Sequence, residues 1–515
     1  MRYGFVIDQR TCIGCHACTV ACKTEHQIPV GPFRTWVKYV DKGEFPSTSR
    51  DFAVLRCNHC TDAPCVRICP TKSLFKRSDG IVDFDGDRCI GCKSCMQACP
   101  YDAIYIDDDT HTVAKCNFCA HRVDQGLEPS CVVVCPTHSI WVGDLDDPTT
   151  EISKLVARGQ TSVRAPEQNT GPNVFYLGAD RAVLDPLIAP VGTSYLWARP
   201  DEQRKAVAAD LAPDEFTHAR TTANTAHPRP WGWRVTAYLW TKGVGSGALL
   251  VSSVLLVGPG PQGALVSLVA PAIATAFTGA TGVLLIWDLK RPERALYIFT
   301  KANPTSWLVW GSVVLAVYAA VAGTWLAVGV AATAGVIDEA VLGSVLSVLR
   351  WAAAPAASAA AGYSALLFGQ AEGRDLWQSP LTLWHLVVQA AVAGSGALLA
   401  AASLTDPSGS TIRRLTRTLM AASAANLVLI GAEYGGRHPT KNAAAAAHMV
   451  TRGRYSKLFR RGAVGMSLLG SALAAPSAAA GRWRRWAAAG GVVAQLGLLA
   501  YESVWVQAGQ DVPLS

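Results

Sequence analysis

The chain has 515 residues, half of them hydrophobic, with 16 cysteines and a formal net charge of +8 at pH 7. The charge is too small and too dispersed for a nucleic-acid binder. Composition splits the chain into two solvent classes: every cysteine lies between Cys12 and Cys135, and the second half turns to long Ala-, Leu-, Val- and Trp-rich runs.

In chain order, the start MRYGFVIDQR has no apolar signal core, cleavage site or twin arginine, so no export signal is expected on this chain itself. The cysteines then fall into four quartets with none left over. Cys12, Cys15, Cys18 and Cys22 are spaced CxxCxxCxxxC; Cys57, Cys60, Cys65 and Cys69 CxxCxxxxCxxxCP; Cys89, Cys92, Cys95 and Cys99 CxxCxxCxxxCP. Cys116, Cys119, Cys131 and Cys135 form a CxxC followed after eleven residues by CxxxCP. Disulfides are disfavoured, because cysteines two residues apart suit a metal better than a bridge. Zinc knuckles also use CxxC pairs, each quartet closing its own tetrahedral site. The third run, however, is that of bacterial ferredoxins, in which three close thiolates hold one cubane and the fourth reaches another.

That resemblance to ferredoxins implies four 4Fe–4S clusters and an exchange of last cysteines. Cys57, Cys60 and Cys65 would share a cluster with Cys99, and Cys89, Cys92 and Cys95 with Cys69. Likewise Cys12, Cys15 and Cys18 would pair with Cys135, and Cys116, Cys119 and Cys131 with Cys22. Pro70, Pro100 and Pro136 follow three of the fourth cysteines, where a fixed φ and no N–H let the chain leave the cluster. Lys23 takes that place in the first motif; it is expected to be solvated, the alternative being a charge that raises a cluster potential. His16, His26 and His59 are surplus to complete quartets and are expected to be solvated or packed behind the ligands. No GxGxxG follows a strand and no other organic-cofactor fingerprint is present, so a row of clusters here acts as a conductor between two other sites.

Around the third motif, GIVDFDGDRC and YDAIYIDDDTHTVAKC predict short hairpin strands ending in Asp-rich turns. SIWVGDLDDPTTEISKLVARG predicts a strand, a turn and a helix, and GPNVFYLG a further strand. Residues 181–228 are polar and read as a linker. Trp231 and Trp233, which follow it, suit a membrane interface.

Eight apolar spans follow, at about 235–257, 265–287, 304–330, 341–369, 381–404, 413–434, 462–480 and 486–507, each near the ~20 residues a bilayer crossing needs. The fourth holds Arg350. Gly243 and Gly247 form a small-xxx-small pair. Loops on the N-terminal side carry twelve Lys and Arg, the opposite loops five (Arg413, Arg414, Arg482, Arg484 and Arg485), so the positive-inside rule places the cysteine-rich region in the cytoplasm.

The stretch DLKRPERALYIFTKANPTSWLVWGSVVL, residues 288–315, resembles the NrfD/polysulfide reductase membrane-subunit family through Asp288, Leu289, Arg291, Pro292, Arg294, Tyr297, Asn303, Pro304, Ser306 and Trp307. GYSALLFG from Gly362 is similar to that family's fourth helix, and the quartets with GDLDDP resemble the iron–sulfur subunit of the same complexes. The resemblance implies a fusion of two usually separate chains. It implies a quinone pocket near the clusters, with menaquinone the expected quinone, no haem, and a separate catalytic subunit, commonly a molybdopterin oxidoreductase. Independently, bis-histidine haem needs paired intramembrane histidines, and only His385 lies well inside a span.

The fold expected is an α+β double-dicluster ferredoxin-like domain over 1–180, a linker over 181–230 and an all-α domain of eight transmembrane helices over 231–515. Asp288, Tyr238 and His385 are candidate quinone or proton residues; Arg291, Arg294, Lys242 and Glu433 are candidates around the same pocket, and Glu502 is a further intramembrane acid. Lys242 is alternatively a snorkelling anchor. The basic stretch from Ala432 to Arg461 either enforces orientation or docks the cluster domain or anionic lipid. The function expected is an electron-transfer and membrane-anchor subunit of a quinone-linked respiratory oxidoreductase in the inner membrane. The alternatives are a redox-driven proton-translocating subunit, a hydrogenase-type anchor, and an anchor with no quinone site.

Overall fold

A computed structural model of the chain describes residues 1–189, 219–258, 263–405, 407–481 and 484–515. Of the predicted linker, residues 190–218 lie outside the described residues, and so does Arg482 of the loop count.

The cysteine-rich region is built on a four-stranded sheet of order β8-β1-β10-β9. β1 (Tyr3–Asp8) pairs in parallel with β10 (Val174–Leu177) and antiparallel with β8 (Ile140–Asp144), and β9 (Thr161–Ser162) closes the edge. Both faces of β1 are covered. Phe5 and Ile7 join a core with Trp36, Val54, Phe118 and Tyr176, while Val6 packs under helix Glu151–Arg158 through Ile152. The predicted strand, turn and helix over 139–159 and the strand at 174–177 are therefore present. So are the hairpin strands around the third motif: β4 (Leu74–Lys76) pairs with β5 (Val82–Phe84), and β6 (Ile104–Ile106) with β7 (Val113–Lys115).

One element has no counterpart among the predicted ones. β2 (Thr35–Glu44) and β3 (Ser47–Arg56) form a long hairpin, and β11 (Ala219–Ala223) adds antiparallel to β2. Chain inside the predicted linker thus completes a sheet of the cluster region.

Among the described residues, eight helices are long and apolar enough to cross a membrane. They are Trp233–Leu256, Leu265–Asp288, Trp307–Thr333, Glu339–Gly369, Thr382–Ala401, Gly409–Gly435, Leu458–Ala480 and Arg484–Asp511, called here the first to eighth spans. The first span is the central pillar, buried along 72% of its apolar stretch where the second, third and fourth are buried along 22%. Its crossing with the fifth span depends on two glycines: a Cβ on Gly247 would stand 1.7 Å from the Ala390 carbonyl oxygen, and one on Gly394 2.0 Å from the Gly247 backbone. Gly243 meets only the Ala393 methyl, at 3.7 Å, so Gly247 carries the close approach. Arg350 reaches the end of the first span, donating to the Val257 carbonyl at 3.3 Å.

The two regions meet over a broad buried junction. Trp231, expected at a lipid interface, is instead 4% exposed and stacks on Trp377 with ring centroids 5.4 Å apart; Trp233 is exposed as expected. Phe368 and Trp505 complete this aromatic plug.

Candidate functional site

The CxxCxxC loops turn on left-handed residues. Gly14 (φ +69°) and His16 (φ 62°) in the first motif match Gly91 (φ +67°) and Lys93 (φ 64°) in the third. A left-handed residue between cysteines reverses the chain so that successive thiols point inward, and glycine adopts it without penalty.

All sixteen cysteines are free of disulfides. Their electrostatic neighbours cross between quartets. Cys12 faces Cys135 and Cys15. Cys22 faces Cys116, Cys131 and Cys119. Cys60 and Cys65 face Cys57 and Cys99, and Cys92 and Cys95 face Cys69 and Cys89. Electrostatic interactions between thiols link these groups in sequence: Cys18 with Cys131, Cys116 with Cys57, and Cys95 with Cys65. Four groups of four thiols thus stand in one file.

The donor set fits iron–sulfur clusters. Burial pushes the Cys18, Cys60, Cys92, Cys99 and Cys119 thiols up to about 12, so thiolates persist there only beside compensating metal charge. Backbone amides point at sulfur, as Gly91 and Val113 do at Cys89 (3.4 and 3.3 Å) and Ser139 does at Cys135 (3.3 Å). Among the described residues, no group of three or more His, Cys, Asp or Glu closes tightly enough to hold a single metal ion.

Sequence reasoning missed Arg56, which is 0% exposed and donates to Cys131 Sγ at 3.1 Å. Burial lowers its proton affinity, but Cys131, Cys116 and Cys18 outweigh burial and hold the guanidinium charged. Lys23 is half-buried rather than free in solvent: its Nζ donates to the Pro29 and Pro32 carbonyls at 2.7 and 2.8 Å and lies over the Phe33 ring. His59 is fully buried and accepts from the Val82 amide at 3.1 Å; burial depresses its basicity. His26 Nε2 lies 3.3 Å from Cys119 Sγ.

At the end of the file, Cys92 lines an apolar cavity of about 280 Å³ between the cluster region and the membrane helices. Its walls include Trp231, Tyr238, Leu285, Asp288, Phe299, Leu308, Tyr363 and Leu367. Of the predicted pocket residues, Asp288 and Tyr238 are in this wall. Asp288 is paired with Lys93 of the third motif at 2.7 Å, which joins the cysteine loop to the cavity rim.

The other predicted residues stand elsewhere. Arg294 clamps the third motif, donating to the carbonyls of Gly86 (2.7 Å) and Cys89 (3.0 Å). Arg291 pairs with Glu293 at 3.4 Å, and its backbone amide donates to the Ile90 carbonyl. Lys242 does not snorkel: it is 4% exposed and donates to Ser364 Oγ (2.8 Å) and the Ala361 carbonyl (2.9 Å). His385 and Glu433 lie together on the far side of the first span, 3.2 Å apart.

The stretch 288–307 is a docking strip. The Asn303 side chain donates to the Cys69 carbonyl (2.8 Å), Ser306 to Ile68 (2.7 Å) and Thr305 to Arg67 (2.9 Å). On the other flank, Arg374 is 3% exposed and bonds Gln97 and Asp102, both at 3.0 Å. The basic stretch after the sixth span packs on the membrane region: it holds helix Lys441–Thr451, and Arg454 and Tyr455 bind Asp511 at the end of the eighth span.

Comparison with known proteins agrees with both halves. A 4Fe-4S dicluster domain matches residues 49–145, and the polysulphide reductase NrfD family model matches residues 221–512, more than half of the chain. A tetrathionate reductase subunit of Salmonella typhimurium is 44% identical over 191 residues, 36% of this chain and 76% of that protein. The arsenate respiratory reductase iron–sulfur subunit ArrB of a Shewanella species is 36% identical over 225 residues, 34% of this chain and 96% of that protein. The protein NrfC of Escherichia coli is 43% identical over 164 residues, 31% of this chain and 74% of its own length. This chain is therefore a multi-pass iron–sulfur protein that belongs to the polysulphide reductase NrfD family.

Proposed function

We propose that this chain is the electron-transfer and membrane-anchor subunit of a quinone-linked respiratory oxidoreductase. It passes electrons through four 4Fe–4S clusters between a separate catalytic subunit, of the molybdopterin class, and a quinone held in the Cys92 cavity. The ligand sets are Cys12, Cys15, Cys18 with Cys135; Cys116, Cys119, Cys131 with Cys22; Cys57, Cys60, Cys65 with Cys99; and Cys89, Cys92, Cys95 with Cys69. The observation that carries this reading is the unbroken file of thiol groups, which starts at solvent-exposed Cys15 and ends at Cys92 in the wall of an apolar cavity.

Clusters bound at these thiolates supply one-electron carriers. The protein supplies the rest. Arg56 offsets negative charge in the second group of the file. Arg294, Asn303 and the Lys93–Asp288 pair fix the last group against the cavity. The apolar walls exclude water and suit a ring carrier from the lipid, and the Tyr238 hydroxyl and Asp288 carboxyl are among the polar groups of the wall that would hydrogen-bond it. Reducing one quinone to quinol takes two electrons through the file and two protons.

The loop charges support a cytoplasmic position for the cluster region, in the inner membrane. We read a cluster domain over 1–180 and a membrane domain over 231–515; residues 182–189 and the strand at 219–223 of the intervening stretch pack onto the cluster region.

The test uses the full chain prepared anaerobically in lipid nanodiscs. It should carry about sixteen irons, four per cubane. After dithionite reduction, adding a menaquinone analogue should re-oxidise the clusters, seen as recovery of visible absorbance. Zinc in place of iron, or clusters that stay reduced, would overturn the assignment.

A further inference from the structure

The cavity gives electrons an entrance, but quinone chemistry also moves two protons, and apolar walls do not conduct them. A row of buried ionisable side chains leads from the cavity across the helix bundle. It begins at Tyr238 and Tyr363 in the cavity wall. Lys242, one turn below Tyr238 on the first span, lies over the Tyr363 ring at 4.9 Å and donates to Ser364 Oγ at 2.8 Å. Glu502 lies on the eighth span, which packs against the first; it is 3% exposed, and its Oε2 has no hydrogen-bond partner among the described residues. The next residue, Tyr501, donates to Glu433 Oε2 at 3.0 Å and lies 3.3 Å from His385 Nδ1.

The far end of this row is under-satisfied. His385 Nε2, Glu433 Oε1 and both amide atoms of Gln389 are buried with no partner among the described residues. Gln389 is one turn from His385 on the fifth span, and the two are 2% and 4% exposed. Buried polar atoms in this state are costly unless water or a proton satisfies them, and ionisable groups within a membrane are seldom tolerated without a task. The placement also defines a direction. His385 and Glu433 lie at the cluster-side ends of the fifth and sixth spans. The row therefore runs across the bundle and emerges on the cluster side, rather than through to the opposite face.

We propose that Lys242, Glu502, Tyr501, His385 and Glu433 form a water-assisted proton row between the cavity and the cluster-side aqueous phase at the sixth span. This rests on the quinone reading. For each quinone reduced, two protons enter along the row as two electrons arrive at the Cys92 end, and quinol oxidation reverses both. Electrons and protons reach the cavity from different walls, and Asp288, tied to Lys93, is not part of the row.

The experiment follows two signals in the full chain in nanodiscs after a short-chain menaquinone analogue is added to reduced protein. Cluster re-oxidation is read by absorbance, and proton uptake by a pH-indicator dye in weak buffer. Glu502→Gln and Glu433→Gln should slow both signals by about a hundredfold, the scale of a lost proton-transfer group. Cluster content and binding of the analogue to oxidised protein should stay at wild-type values. Glu502→Asp, or a small permeant acid such as azide added to Glu502→Gln, should restore much of the rate, which a merely structural loss would not allow. Wild-type proton uptake in both Gln variants, or no response to Asp and azide, would overturn the row alone. Wild-type protein that leaves the analogue unreduced would overturn the quinone reading and the row with it.

Discussion

The first and third cysteine motifs share a spacing, a glycine at the same step and a left-handed residue before the third cysteine, yet they sit in opposite surroundings. In the first, Cys15 is exposed and Ile13 beside it is 57% exposed. The face that is covered is covered by the β2–β3 hairpin: Phe52 fills the space beside Gly14, and Tyr39 donates to the Gly14 carbonyl. In the third, the membrane region does the covering. Lys290 presses on Gly91, Arg294 holds the loop carbonyls, and Trp231 donates to the Cys92 carbonyl at 3.4 Å. A local sequence is enough to shape a cluster loop, but tertiary contact decides whether that loop stays open to solvent or is closed against the membrane helices.

The sharpest way to break the symmetry is to remove one ligand at each end. Cys92→Ser should abolish re-oxidation of the clusters by a menaquinone analogue, because the last carrier before the cavity is lost. Cys15→Ser should leave dithionite-driven reduction of the analogue intact and abolish only electron exchange with the catalytic subunit. Iron content and stopped-flow absorbance check both. Equal loss of quinone reduction in the two variants would contradict the order of the file.

The paired glycines probe the covers rather than the ligands. Alanine at either position costs about 1–2 kcal/mol for a left-handed residue with a Cβ. The neighbours then differ. At Gly14 the new methyl would stand 2.4 Å from the Phe52 ring, a side chain able to swing away. At Gly91 it would meet Lys290 at 2.5 Å from Cβ and 3.0 Å from the backbone, which moves only if the docking strip moves. Gly91→Ala should therefore slow quinone-linked re-oxidation and speed proteolysis at the junction, while Gly14→Ala leaves both near wild type.

What could be read from the sequence was local. Cysteine spacing is a short-range signal, and the spans announce themselves by apolar length; the second was expected over 265–287 and is Leu265–Asp288. The eighth runs past its predicted end because its last turns leave the apolar layer and dock, Gln510 bonding Gln97 at 2.7 Å. The residues of 288–307 stood out as a family signature, but their task is to hold carbonyls of the second and third motifs, and a signature does not say which surface it meets. Arg56 and the hairpin at 35–56 were invisible for a related reason: a buried arginine and a polar strand tip read as solvent until the thiols and the first motif are placed beside them. His385 passed for a pocket residue because hydropathy gives depth in the membrane and not which neighbour a helix faces.

The smallest effect expected on turnover separates the two covers by pH. Lys38 lies in β2, the strand that shields the first motif, and is 1% exposed. Burial lowers its ammonium to about 7, with Arg164 adding to the effect and Asp185 opposing it. In the unfolded chain the same group titrates near 10.4. Between about pH 7 and pH 10 the unfolded state therefore holds a proton that the folded state has released, so stability rises with pH across that window and is flat below it. The gain is bounded at roughly 5 kcal/mol from the size of the shift. Hydrogen exchange of the 35–56 amides, corrected for intrinsic rates, should show stronger protection at pH 9 than at pH 7. Lys38→Met should be as protected at pH 7 as wild type is at pH 9, with no further gain. The Asn303, Thr305 and Ser306 amides of the docking strip should show no matching trend, since the contacts there are side-chain amide and hydroxyl donors on carbonyls that do not titrate in that range. Equal pH dependence in both strips would mean that the cover of the first motif is not set by this buried lysine.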